Sequence, residues 1–103
     1  MSWITILKQE LEIRWTSKDG KAFGYAFYHP LYSDGNWEIW SFIHDAEKRQ
    51  GLGEKYLKEM IKHLLSMKKA KVVADETLPQ ADEFWNKMLS KNIIQSIRRM
   101  GER

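Results

Sequence analysis

A chain of 103 residues, 43% of them hydrophobic, carries enough apolar material for one small domain and too little length for two. It has no cysteine, which excludes disulfides, thiolate metal sites and a cysteine nucleophile, and a reducing cytoplasm is the expected location. The formal charge of +3 suits an anionic ligand, but non-specific nucleic-acid binders concentrate more charge on one face, so nucleic acid is not the expected partner.

Met1 to Glu10 has neither a basic n-region nor a long apolar run and reads as neither a signal peptide nor a membrane span. Leu11, Ile13 and Trp15 alternate with Glu10, Glu12 and Arg14, the period-two pattern of a half-buried strand. Lys18-Asp19-Gly20 is a hairpin turn, and Lys21 to His29 forms a second strand with Phe23, Tyr25 and Phe27 on one face. Ala22, Gly24 and Ala26 take its other face, and Pro30 ends it. Ser33-Asp34-Gly35-Asn36 makes another turn before a third strand, Trp37 to His44, completing an antiparallel meander.

The period then changes. Leu52, Tyr56, Leu57, Met60, Ile61, Leu64 and Leu65 recur at three- and four-residue spacing, predicting a helix of about four turns that ends near Met67. Lys71 to Ala74 reads as a strand, parallel to the third because a crossover helix separates the two. A second helix holds Ala81, Phe84, Trp85, Met88 and Leu89, and Asn92 to Ile97 is expected as the last strand, followed by a basic tail. The fold class is therefore α+β, a mixed, mainly antiparallel sheet with an N-terminal meander and then β-α-β-α-β. Met60, Met67 and Met88 read as core filler, and Trp3 and Trp15 as packing residues.

The segment Lys48-Arg49-Gln50-Gly51-Leu52-Gly53 joins the third strand to the long helix. The first amides of a helix have no partner inside it and sit at the positive end of its dipole. Glycines there let the main chain approach an anion closely. The segment lacks the Gly-Lys-Ser/Thr of a P-loop and the third glycine of a dinucleotide fingerprint.

The run Ile43 to Gly53 resembles motif A of the GNAT superfamily of N-acetyltransferases, Arg/Gln-x-x-Gly-x-Gly/Ala. Ala81-Asp82-Glu83-Phe84-Trp85-Asn86-Lys87-Met88 is similar to that family's Ala-x-x-Phe-Tyr helix, and the interval between the motifs fits. The resemblance covers about half of the chain, Trp37 to Met88. It implies acetyl-CoA as cosubstrate, its pyrophosphate on the amides of Arg49, Gln50, Gly51, Leu52 and Gly53, with Glu54 and Lys55 beside them. Lys48 stands where Arg or Gln is usual. The pantetheine arm would lie along Phe42, Ile43 and His44, where the third strand splays from the next. An amine acceptor would attack the thioester directly.

Candidate bases are Glu38 and His44, with Asp75 behind them; Glu38 also reads as strand surface and His44 as a turn residue. Trp85 stands where many relatives carry a Tyr that protonates the departing thiolate. The direct hairpin at Lys18-Asp19-Gly20 replaces two helices that often wall the acceptor site. That absence points to an open cleft suited to a protein lysine or N-terminus, and a second copy of the chain could supply the missing wall. The alternative is a non-catalytic module on the same fold, an inhibitor or adaptor for a protein or nucleic acid.

Overall fold

The computed structural model describes residues 11–28, 35–44, 51–77 and 79–99. The readings of Trp3, Pro30, Lys48, Arg49 and Gln50 lie outside the described residues. The elements are β1 (Leu11–Thr16), β2 (Ala22–Tyr28), β3 (Trp37–His44), α1 (Leu52–Met67), β4 (Val72–Thr77), a 3₁₀ turn (Pro79–Ala81), α2 (Asp82–Ser90) and β5 (Ser96–Arg99). They form one five-stranded sheet in the order β1-β2-β3-β4-β5. The meander pairs antiparallel in the longer ladders, and β3/β4 and β4/β5 pair parallel. This is the expected α+β arrangement.

The β1–β2 turn is tied down by its own side chains and by α1. Ser17 Oγ donates to Asp19 Oδ1 at 2.7 Å, and the amide of Lys21 donates to the same oxygen at 2.9 Å. The Tyr56 hydroxyl of α1 donates to Asp19 Oδ2, and the amide of Lys18 donates to Glu59 Oε2 at 3.0 Å. Tyr56 thereby holds the Asp19 carboxyl down at about 2, and Asp19 pushes the Tyr56 phenol up to about 12.

Ala22, Gly24, Ala26 and Tyr28 of β2 face the helices and are buried. Small residues there admit the Met60 side chain so closely that a Cβ on Gly24 would lie 2.5 Å from its sulfur. Around this contact one core joins Trp15, Trp37 and Ile39 of the sheet to Leu57 and Leu64 of α1 and to Trp85 and Met88 of α2. At the end of α1 the Trp37 indole N–H donates to the Lys68 carbonyl at 2.8 Å, satisfying one of the helix's terminal acceptors. Leu65 and Met67, both expected inside, are exposed. They stand on the side of the last turn that rotates away from the sheet.

The last strand starts later than its sequence pattern predicts. Asn92 takes a left-handed φ of 62°, and the amides of Asn92 and Ile93 donate to Leu89 and Met88 carbonyls at 3.0 Å each. This closes α2 as a C-terminal cap, a conformation Asn tolerates better than most residues. Ile94 is consequently buried in the core as part of that cap, and pairing of β5 begins at Ser96. Among the described residues, no helix is long and apolar enough to cross a membrane.

Candidate active site

A single irregularity in β3 builds the site. Ala26 pairs with Ile39 and Tyr25 with Ser41, so Trp40 is an extra residue opposite nothing on β2. A bulge of this kind breaks the alternation of faces. Trp37 and Ile39 point to the helices before it, and Phe42 packs on the same core after it. Ile43 lies opposite Phe23, on the other face.

The β3/β4 ladder stops at the same place. Trp37, Glu38 and Ile39 pair with Val72, Val73 and Ala74, and among the described residues no pairing continues beyond. The strands separate around a cleft of about 240 Å³, lined by Ile39, Trp40, Ser41, Phe42 and Ile43 from β3 and by Asp75 and Thr77 from β4. Gln80, Ala81 and Trp85 close its far side. Phe42 reaches across to α2, with ring centroids 6.0 Å from Phe84 and 6.2 Å from Trp85.

The β4 wall is polar and buried. Arg98 of β5, register partner of Asp75, places Nη1 2.9 Å from Glu38 Oε1 and 3.3 Å from Asp75 Oδ2. A buried carboxylate needs such a partner, since an uncompensated one costs several kcal/mol. Thr77 is 5% exposed and its hydroxyl has no hydrogen-bond partner among the described residues. No Lys, Arg or His stands among the described residues lining the cleft.

The start of α1 follows from two different uses of glycine. Gly51 precedes the helix with φ 68°, a left-handed conformation that glycine adopts without strain, and a Cβ there would meet nothing within 4 Å. The first helical bond runs from the Lys55 amide to the Gly51 carbonyl at 3.3 Å. The amides of Leu52, Gly53 and Glu54 therefore have no partner within the helix. Gly53, by contrast, is buried: a Cβ would lie 2.9 Å from His44 Nε2 and 3.0 Å from Phe84 Cε1. Packing, rather than anion approach, is a sufficient reason for that glycine.

His44 thus sits between the end of β3 and the start of α1, with ring centroids 5.9 Å from Phe42 and 6.2 Å from Tyr56, and its buried Nδ1 has no partner among the described residues. Glu38 is 7% exposed, on the face away from the helices, held by Arg98. The two expected bases are separated by six residues of strand, roughly 20 Å at about 3.3 Å per residue. The bulge between them turns them to opposite faces, and neither lines the cleft. Glu54 pairs with Lys91 and, at 3.2 Å, with Lys58; Lys91 above all keeps its carboxyl below the usual range. Lys55 is exposed and Leu52 half-buried.

The sequence reading missed Thr77 and Arg98. Arg98 belongs to a basic pair whose neighbour, Arg99, turns to the other face and contacts Asp82 at 3.1 Å and Asn86 at 3.0 Å. Alternation within a strand was the signal that could have separated the two.

Comparison with known proteins gives one match. The model of the acetyltransferase (GNAT) family matches residues 3–89. No curated protein and no solved structure matches the chain.

Proposed function

This chain belongs to the acetyltransferase (GNAT) family, and we propose that it transfers an acetyl group from acetyl-CoA to a primary amine by direct attack. The observation that carries this reading is the coincidence of the bulge at Trp40 with the end of the β3/β4 ladder. Among the described residues it leaves the edge of β3 without a neighbouring strand along Phe42, Ile43 and His44, towards amides of α1 that have no partner within the helix. A strand edge and a helix start are what an extended arm bearing amides and a diphosphate would require.

The residues present fit such a ligand. The amides of Leu52, Gly53 and Glu54 would hold the diphosphate, with Lys48, Arg49, Gln50, Gly51 and Lys55 around them. The edge of β3 at Phe42, Ile43 and His44 would hold the amide-bearing arm. When bound, acetyl-CoA supplies an acetyl group activated as a thioester. In the net reaction a C–N bond replaces the C–S bond, and the acceptor's ammonium gives up two protons, one to the departing thiol and one to solvent.

The chain's own part is positioning. The acceptor's ammonium loses its proton to water, because the Asp75 side chain in the cleft wall is fully buried and held by Arg98. Glu38 acts as a positioning residue, because it shares the Arg98 Nη1 that contacts Asp75. Trp40, Phe42 and Trp85 keep water from the cleft.

Thermal melts with acetyl-CoA test the binding half: a hundredfold excess over Kd stabilises by about 2.7 kcal/mol. Thiol release over an amine panel tests the chemistry. Binding without turnover of any amine would favour the non-catalytic module, to which Trp85 in place of a phenol lends weight. Absence of stabilisation by acetyl-CoA would refute the proposal.

A further inference from the structure

The two edges of the five-stranded sheet are finished differently. β5 has four residues and pairs with β4 through an irregularity between Asp75 and Thr77. Short length and irregular pairing keep an edge from pairing further. β1 has neither: its six residues pair with β2 without a break, and Leu11–Thr16 contains no proline, glycine or lysine.

The hairpin fixes which backbone groups of β1 face outward. The Ser17 amide donates to the Ala22 carbonyl at 2.9 Å across the β1–β2 turn. Successive residues of an antiparallel strand turn their amides and carbonyls to alternate sides. Leu11, Ile13 and Trp15 therefore bond to β2 as Ser17 does, and the amides and carbonyls of Glu12, Arg14 and Thr16 point away from it. Among the described residues, no strand takes them up.

We propose that β1 pairs antiparallel with β1 of a second copy of this chain, about a two-fold axis at Ile13, joining two sheets edge to edge. The strand is self-complementary about that residue. The axis sets Glu12 opposite the partner's Arg14 and Arg14 opposite the partner's Glu12, each pair exchanging both its backbone hydrogen bonds. Opposite charges thus face each other twice. Moving the axis to Glu12 or to Arg14 would set like charges opposite, and a slip of one residue between the strands would mismatch their faces. Tyr25 holds both charged side chains over the helix-free face: its hydroxyl donates to Glu12 Oε1 at 2.6 Å, and the Arg14 guanidinium lies 5.6 Å from its ring centroid.

On the helix face the same axis sets Ile13 against the partner's Ile13 and Leu11 against the partner's Trp15. Leu11 and Ile13 pack on the rim of the core but are only half-buried. The second copy covers what the chain's own helices leave open. β2 separates β1 from β3, so the pairing leaves the β3/β4 cleft clear and does not depend on what that cleft binds.

The test is sedimentation of the full chain. Wild type should pass from monomer to dimer as its concentration is raised to about 1 mM, the weak end of specific association, where interfaces under roughly 1,200 Å² belong. Arg14→Glu and Glu12→Arg each leave only like charges opposite and should each weaken self-association at least about tenfold. Mixed in equal amounts, the two variants should pair with each other about as tightly as wild type does with itself, since each supplies the charge the other lacks. That recovery separates lost pairing from misfolding. The chain has no cysteine of its own, so oxidation can read the register. Ile13→Cys should form a covalent dimer at least about tenfold faster than Thr16→Cys. Cα atoms that face each other at the axis lie about 4.5 Å apart, within disulfide reach, whereas those at position 16 lie far beyond the limit of about 7 Å.

A wild-type chain that stays monomeric at every concentration would overturn the proposal, as would charge variants that pair no better mixed than alone. Cross-linking of Thr16→Cys as fast as that of Ile13→Cys would overturn it too, by placing the contact in another register or on another surface.

Discussion

Gly53→Ala probes the junction where the end of β3, the start of α1 and α2 meet. The added Cβ would lie 2.9 Å from His44 Nε2 and 3.0 Å from Phe84 Cε1, each several tenths of an ångström inside ordinary contact. Overpacking at a buried site costs about 1–3 kcal/mol. Alanine in a helix recovers up to about 1 kcal/mol over glycine, so the net loss should be about 0–2 kcal/mol. For a domain of this size each kcal/mol lowers Tm by about 4–8 °C. The clean assay is a double-mutant cycle with His44→Ala, read by calorimetry or by circular dichroism melts. Removing the imidazole relieves the tighter of the two contacts, so Gly53→Ala should cost about 1 kcal/mol less in the His44→Ala background. Equal costs in both backgrounds, within about 0.5 kcal/mol, would refute the packing explanation for this glycine.

Asp19, held down at about 2 by Tyr56 first and then by the Lys21 amide, stabilises the fold above the ordinary carboxylate value of 3.8 and loses that contribution as pH falls towards 2. Tyr56, raised from 10 to about 12, stabilises below pH 10 and loses its share as pH rises through 12. Denaturant midpoints should therefore fall at both extremes, and Asp19→Asn should flatten both limbs; a mutant with the wild-type profile would contradict the linkage. Arg98→Gln removes the guanidinium shared by two buried carboxylates and should cost about 2–3 kcal/mol in urea unfolding at pH 7. A change under about 0.5 kcal/mol, the range of ordinary surface substitutions, would show that Arg98 does not compensate them.

Much of the fold is legible because its signals are periodic. The α1 stripe predicts a helix to Met67, which is where it ends, and the alternation around Trp15 and through Phe23, Tyr25 and Phe27 identifies β1 and β2. The failures lie where one residue breaks a period. Nothing in Trp37 to His44 announces that Trp40 is a bulge, yet that residue decides which side chains share a face with Glu38. Asn92 likewise reads as the head of a strand because Ile93 and Ile94 follow it, whereas its left-handed backbone turns both into a helix cap. For the site, the glycine segment and the strand before it are visible in sequence. The Arg98 contact with Glu38 spans 60 residues, and no local pattern encodes it. Thr77 carries no motif, and only its burial without a partner marks it.

The central claim, that acetyl-CoA lies along the edge of β3 and on the start of α1, is tested most directly by titrating the ¹⁵N-labelled chain with acetyl-CoA and mapping the amide shifts. The account expects saturable changes concentrated at Gly51 to Lys55 and at Trp40 to His44, with the β1–β2 turn unmoved. Shifts centred elsewhere, or none at saturating coenzyme, would contradict it.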